Sequence, residues 1–388
     1  MTLASRLSMT DLLPRGAADS VLVGRVWDPV TGGPRVCVVQ DQTLIDITGQ
    51  VSTVSEAMET PEKIREFAEQ GTRGFPLEDV MAASLAGDQS AAHLLAPVDF
   101  QVIKACGVTF VGSMIERVIE EKCAGDPGKA QEVRKQISGA IGGSLKGIEP
   151  GSPRAKTVKQ LLVNQGLWSA YLEVGIGPDP EVFTKAPVLS SVGFGHKVGI
   201  PSFSTWNNPE PELVLIVNSW GVPVGATLGN DVNLRDVEGR SALLLGKAKD
   251  NNASSSLGPF IRLFDESYTI EDASDEEIRL EVWGEDGYHL SGVNSVREIS
   301  RPLIDLVNAT YGAHHQYPDG FALFTGTLFA PTQDRDVEGA GFTHKPDDLV
   351  IIQSARLGAL VNTTAPTESL PPWTWGIREQ VTYLRKFA

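Results

Sequence analysis

Apolar and polar positions alternate in short blocks along the first part of the chain. Val21 to Val26 and Arg35 to Val39 predict two strands, separated by the turn-rich Asp28-Pro29-Val30-Thr31-Gly32-Gly33-Pro34. Thr60-Pro61-Glu62 predicts a helix start, with Thr60 as N-cap and Pro61 in the first helical position, and an exposed short helix running to Glu69. From Ser113 to Lys122 the apolar residues Met114, Ile115, Val118 and Ile119 recur at helical spacing, which predicts an amphipathic helix. Lys129 to Val163 is polar and broken by Gly139, Gly142, Gly143, Pro150 and Pro153. It reads as helical pieces with a loop, suited to a lid or an oligomer contact. Beyond Phe183 the pattern turns β-like. Val188–Val192, Leu213–Val217, Val222–Leu228, Ile278–Val282 and Leu349–Ser354 are predicted strands, with Gly, Pro and Asn between them. One predicted helix, Ser295–Tyr311, interrupts them.

Many short strands with Gly/Pro turns predict a compact, folded-up β domain. Leu94-Leu95-Ala96-Pro97-Val98 reads as a junction. The expected organisation is a smaller α/β N-terminal domain over 1–97 and a catalytic domain over 98–388, with a helical insert at about 113–168. No internal repeat or low-complexity tract is evident.

Composition narrows the function classes. Of 388 residues, 41% are hydrophobic and 21% charged, which is ordinary for a globular chain with a large core. The formal net charge of −16, with no Lys/Arg-rich run, argues against a nucleic-acid partner. Cys37, Cys106 and Cys123 form no CxxC pair and read as free buried thiols. Met1 to Gly16 lacks the basic start and apolar run of a signal peptide, and no apolar stretch is long enough for a membrane span. A cytoplasmic location without membrane contact is expected.

The segment Pro209-Glu210-Pro211-Glu212, placed just before the apolar Leu213–Val217, carries the first chemical signal. Residues two apart in a strand share a face, so both carboxylates can converge. Two such charges repel unless a cation lies between them or one takes a proton. Hard oxygen donors suit Mg²⁺, Mn²⁺ or Ca²⁺; the plainer alternative is two exposed acids at a strand start. Further on, Gly229-Asn230-Asp231 follows the next predicted strand, and a hairpin return could bring Asp231 beside Glu212. The alternative there is a polar loop in which Asp231 caps a turn. Lys247 and Lys249 precede Leu257-Gly258-Pro259; a lysine near such a cluster can neutralise it or hold a substrate oxygen, though most lysines are solvated surface. The histidines His196, His314 and His315 show no zinc-ligand spacing, and Gly193-Phe194-Gly195 lacks a nucleotide-binding context.

Taken in order, these blocks resemble the fumarylacetoacetate hydrolase superfamily: Glu-x-Glu, then Gly225 through Asp236, then Ala248-Lys249, then Leu257-Gly258-Pro259, with Phe324-Thr325-Gly326-Thr327 resembling the late Gly-Thr turn. The resemblance runs from about Pro97 to the C-terminus and is strongest from Glu181 to Pro259. It implies an α+β fold with a mixed β-roll catalytic domain, and one divalent cation, Mg²⁺ with Mn²⁺ as the alternative, on Glu210, Glu212 and Asp231. Within the superfamily the chain resembles the 2-keto-3-deoxy-pentonate dehydratases. Pro180-Glu181-Val182-Phe183-Thr184-Lys185 is similar to that branch's Pro-Glu-x-Phe-x-Lys, and spacing to Leu257-Gly258-Pro259 favours Lys249 over Lys247. What this implies is catalysis by Glu181 and Lys249, with substrate contacts from Phe183, Lys185 and Thr327. The expected reaction takes 2-keto-3-deoxy-D-pentonate (xylonate or arabinonate) to α-ketoglutarate semialdehyde in pentose catabolism, in a homodimer or homotetramer.

One departure bears on the alternative, a C–C hydrolase or decarboxylase of a diketo acid. The hydrolase branch carries a His-x-x-Glu dyad; here Ser113 stands in the histidine slot before Glu116. A second departure is Gly112-Ser113 where the dehydratase branch has Arg-Ser. A catalytically silent binding protein would be expected to have lost one or more of Glu181, Glu210, Glu212, Asp231 and Lys249, and all five are present.

Overall fold

The computed structural model describes residues 12–71, 73–124, 126–133, 147–166, 168–327, 331, 333–339 and 341–387. The strands in chain order are β1 Leu22–Asp28, β2 Gly33–Gln40, β3 Thr43–Asp46, β4 Gly74–Pro76, β5 His93–Leu95, β6 Val102–Gly107, β7 Glu181–Ala186, β8 Lys197–Ile200 and β9 Asn207–Asn208. They continue as β10 Pro211–Val217, β11 Pro223–Asp231, β12 Asn233–Leu234, β13 Ser255–Leu263, β14 Glu277–Trp283, β15 His289–Ser295, β16 Phe321–Phe324, β17 Leu349–Ser354 and β18 Gly358–Pro366. An 11-stranded sheet runs β4-β3-β2-β1-β13-β11-β10-β16-β6-β7, with β5 also on β1. A five-stranded sheet runs β15-β14-β17-β18-β8, and β9 pairs with β12. Most neighbours are antiparallel; β16 on β6 and β18 on β8 are parallel, so both larger sheets are mixed.

Alternation along β10 builds two cores at once. Leu213, Leu215 and Val217 face a core shared with Leu280, Val282 and Leu360 of the smaller sheet. Val214 and Ile216 face the other way, onto Val54, Met58 and Ile64. That two-residue period explains why β10 is apolar throughout and buried along its whole length. A third core lies under the helix Val111–Lys122, where Met114, Val118 and Ile119 meet Leu162, Leu172 and Trp206.

Several expectations shift in detail. Strand pairing runs across the expected boundary at residue 97, because β1 is hydrogen-bonded to β13. Val188–Val192 is not a strand: Leu189 lies in the left-handed region (φ 64°), and only Val192 bridges to Ser256. Ser295–Tyr311 divides into a tight turn, Val296–Glu298, and a helix, Leu303–Thr310, because Pro302 cannot continue a helical hydrogen-bond ladder. Pro61 starts a tight turn that leads into Ile64–Gln70, but the Thr60 side chain makes no capping bond, and Ile64 and Ala68 are buried rather than exposed. In the stretch Lys129–Val163, Ser152 caps the helix Pro153–Asn164 by accepting from the Ala155 N–H at 3.1 Å. Residues 134–146 of that stretch, and 1–11 at the start, lie outside the described residues. All three cysteines are buried.

Candidate active site

The β10–β11 hairpin converts sequence spacing into a carboxylate cluster. Pro211 lies opposite Asn230 and Glu212 opposite Gly229, so Glu210 and Asp231 flank the same end of the ladder. The Asp231 N–H donates to the Glu210 carbonyl at 3.0 Å, and the Asn230 side-chain oxygen accepts from the Glu210 N–H at 3.1 Å. One carboxylate oxygen from each of Glu210, Glu212 and Asp231 lies within 4.8 Å of the others, and all three residues are buried. The late Gly-Thr turn closes the cluster: the Gly326 N–H donates to Glu212 Oε2 at 2.7 Å. Gly326 sits at φ 96°, and a Cβ there would overlap the Thr109 hydroxyl, so the turn needs glycine.

Among the described residues, three cations ring the cluster. Lys249 Nζ donates to Glu210 Oε2 at 2.5 Å and to Asp231 Oδ2 at 2.8 Å. Burial alone pushes this lysine down, but Asp231, Glu210 and Glu238 outweigh it and hold the ammonium well above its usual range. Lys185 pairs with Asp231 Oδ1 at 2.9 Å and donates to the carbonyls of Val232, at 3.1 Å, and Lys249. Its side chain is fully buried beneath Asp231, is not part of the described cleft lining, and has its donors committed to the protein. The third cation, Arg117, donates to Glu210 Oε1 and to Glu120 Oε2, the latter at 2.6 Å, and pairs with Glu238 Oε2 at 3.1 Å.

Among the described residues, no cation pairs with Glu212 in this way. Burial, then Asp231 and Glu210, push its carboxyl well above the usual range. Asp231 moves the other way, because Lys185 and Lys249 more than offset its burial. A divalent cation fits this donor set: three converging hard oxygens, buried, one of them short of positive charge.

The narrow cleft over the cluster is lined by Gly107, Val108, Ser113, Glu181, Phe183 and Thr327. Glu181 lies opposite Gly107 in the β6–β7 ladder. Burial raises its carboxyl pKa, and the Arg117 and Lys249 charges only partly offset that. The Phe183 ring carries Lys249 Nζ at 5.8 Å from its centroid. Sequence reasoning missed Arg117 and Glu238, which line the same cleft. Both lie on helices, where a charged residue ordinarily reads as solvated surface. The signal available was the apolar stripe of Met114, Val118 and Ile119, which fixes how the helix carrying Arg117 must face.

Around the hydrolase-type dyad position, the Ser113 hydroxyl donates to the Phe110 carbonyl at 2.8 Å and serves the first turn of its own helix. Glu116 pairs with Arg235 at 3.2 Å and is absent from the cleft lining. His314 and His315 are exposed, and burial lowers His196 to about 4.

No family model matches the chain. A 2-dehydro-3-deoxy-D-arabinonate dehydratase of Saccharolobus solfataricus is 30% identical over 182 residues, 47% of this chain and 57% of that protein. A Haloferax volcanii protein named probable 2-keto-3-deoxyxylonate dehydratase is 30% identical over 168 residues, 43% of this chain and 56% of that one. The chain thus spans little more than half the length of the curated relatives it matches. In three dimensions the overlap is wider. The apo form of 2-keto-3-deoxy-D-arabinonate dehydratase superposes with a TM-score of 0.62 at 20% identity, covering 89% of this chain and 99% of that one. The fold is that of this dehydratase. The same figures hold for its complex with magnesium and 2,5-dioxopentanoate. A 2-hydroxyhepta-2,4-diene-1,7-dioate isomerase of Mycobacterium marinum follows at a TM-score of 0.51 and 17% identity, over 89% of this chain and 99% of that one. The expected α+β architecture is therefore the observed one, and the chain's curated homologues are named as 2-keto-3-deoxy-pentonate dehydratases.

Proposed function

We propose that the protein is a Mg²⁺-dependent dehydratase that converts a 2-keto-3-deoxy-D-pentonate to α-ketoglutarate semialdehyde. The observation that carries this reading is the cleft itself. A cation-ready cluster of Glu210, Glu212 and Asp231 lies beside a half-buried Glu181 whose carboxyl pKa is raised, in a chain whose relatives carry dehydratase names. A Mg²⁺ held by those three carboxylates would supply Lewis-acid stabilisation for the enolate of a 2-keto acid.

The chain's own groups account for the rest. Glu181, with its raised pKa, takes the proton from C3 and returns it to the departing C4 oxygen. Lys249, held as an ammonium, orients substrate oxygens and supports the negative charge that develops. Phe183 and Thr327 shape the wall against which the short carbon chain lies. Lys185 acts from below, by fixing Asp231 and the Lys249 backbone.

The hydrolase alternative needs a base for water, and the geometry disfavours it. Ser113 is spent on its own helix and Glu116 on Arg235. The direct test is aldehyde formation from 2-keto-3-deoxy-D-arabinonate and 2-keto-3-deoxy-D-xylonate, coupled to an aldehyde dehydrogenase, with Mg²⁺ and with EDTA. EDTA-sensitive semialdehyde formation is expected. Absence of product with Mg²⁺ demonstrably bound would defeat the reading.

A further inference from the structure

Once Glu210, Glu212 and Asp231 are set aside as cation ligands, two carboxyl groups remain among the described residues lining the cleft: Glu181 and Glu238. They arrive on separate elements. Glu181 opens β7, whereas Glu238 ends the short helix Arg235–Glu238 that follows β12. Glu238 is buried, with a relative exposure of 3%. Its Oε2 lies 3.1 Å from the Arg117 guanidinium but accepts no well-directed hydrogen bond among the described residues, although the residue lines the cleft. The Arg117 charge lets the carboxylate form persist in a buried site, while burial pushes the group up to about 7, where it can both take and release a proton. Nothing in the mechanism above uses it.

The proposed reaction leaves work for such a group. Loss of a C3 proton and departure of the C4 hydroxyl as water yields a 5-hydroxy-2-keto-3-enoate. Reaching the aldehyde requires a second stage. A proton leaves C5, its electron pair forms the C4–C5 double bond, the C3–C4 pair moves to C3, and C3 takes a proton from solvent. In the final tautomerisation O5 releases its proton to solvent as C4 gains one. The sum is loss of one water, with no oxidant or reductant.

We propose that Glu238, backed by Arg117, is the base for this second stage: it removes the C5 proton and returns it at C4, while Glu181 serves C3 and the leaving oxygen. The assignment rests on the dehydratase reading and adds a division of labour between two carboxyls in one cleft.

The test follows both stages in the Mg²⁺-loaded protein with 2-keto-3-deoxy-D-arabinonate in D₂O, by NMR and by the ultraviolet absorbance of the conjugated enone. Glu238→Gln should still exchange C3 hydrogens and lose water, should accumulate the 3-enoate, and should form semialdehyde about 100-fold more slowly. Glu238→Asp, which keeps a charge opposite Arg117 should the amide variant fold poorly, should slow the second stage alone. Semialdehyde formation at the wild-type rate in Glu238→Gln would overturn the proposal. So would loss of both stages together in a variant that still melts and binds Mg²⁺ like the wild type, because that result marks Glu238 as a support for Arg117. A wild-type protein that performs neither stage would defeat the dehydratase reading itself, and this assignment with it.

Discussion

At the scale of single residues, the site depends on where positive charge is placed. Lys249, Lys185 and Arg117 each touch a carboxylate of the cluster, while Glu212 accepts from the backbone N–H of Gly326. In the proposed mechanism acid–base work falls to carboxyls whose pKa burial raises. Glu181→Gln should lower turnover by about 10²–10⁴-fold while Mg²⁺ affinity, measured by calorimetry, stays near wild type; an unchanged rate would remove Glu181 from the mechanism. Glu210, Glu212 and Asp231 were legible because strand period and hairpin return are local rules. The role of Lys185 was not. Its sequence position between Thr184 and Ala186 in β7 gives a side, but only the packed structure reveals that this side faces the underside of Asp231. Lys185→Met offers a check on that placement. A lysine acting only as charge would repel Mg²⁺, so its removal would tighten binding. A lysine that fixes Asp231 should, on removal, weaken Mg²⁺ binding by about tenfold, or about 1.4 kcal/mol.

At the scale of elements, two arrangements bring side chains into the cleft. The β6–β7 ladder sets Glu181 against Gly107, and a Cβ at 107 would overlap the Glu181 carboxyl. Gly107→Ala should therefore displace that group and lower kcat by at least about tenfold, with melting temperature and Mg²⁺ affinity kept. A fully active Gly107→Ala would show that the carboxyl need not sit there. The helix Val111–Lys122 is fastened by a chain of alternating charges: Glu116 and Glu120 to Arg235, then Glu120 to Arg117, then Arg117 to Glu210. Arg235 also stacks on Trp206, 4.2 Å from the ring centroid. Breaking a buried network from one side strands its partners, so Arg235→Met should cost about 3 kcal/mol or more in denaturant unfolding. The amphipathic stripe foretold this helix and its inward face. It could not foretell the ion pairs, because their partners lie on segments far along the chain.

For the whole molecule, the titration of these acids couples folding to pH and, with Mg²⁺ bound as proposed, to the metal. Glu212, Glu181 and Glu238 all carry pKa values raised in the folded state, so the folded protein holds protons there that the unfolded chain has released. Their stabilising contribution is complete below the ordinary glutamate value and is lost as pH rises through the folded values, about 7 for Glu238. Asp231 and Glu120 are depressed and act in the opposite sense, contributing above the ordinary range and losing that contribution as pH falls. Mg²⁺ bound at the cluster as proposed would favour the ionised form of Glu212, against its raised pKa, so binding would release protons and strengthen with pH. Excess Mg²⁺ at a hundredfold its Kd stabilises by about 2.7 kcal/mol, and that excess is easier to reach at high pH because the Kd falls. At a fixed Mg²⁺ concentration, the rise in melting temperature on adding the metal should therefore be small at about pH 5 and clearly larger at about pH 8. Glu212→Gln should abolish most of that difference, since the amide has no proton to exchange for a cation. Equal melting shifts at both pH values in the wild type would mean that the cluster binds Mg²⁺ without a proton to displace, and would place the buried negative charge somewhere other than Glu212.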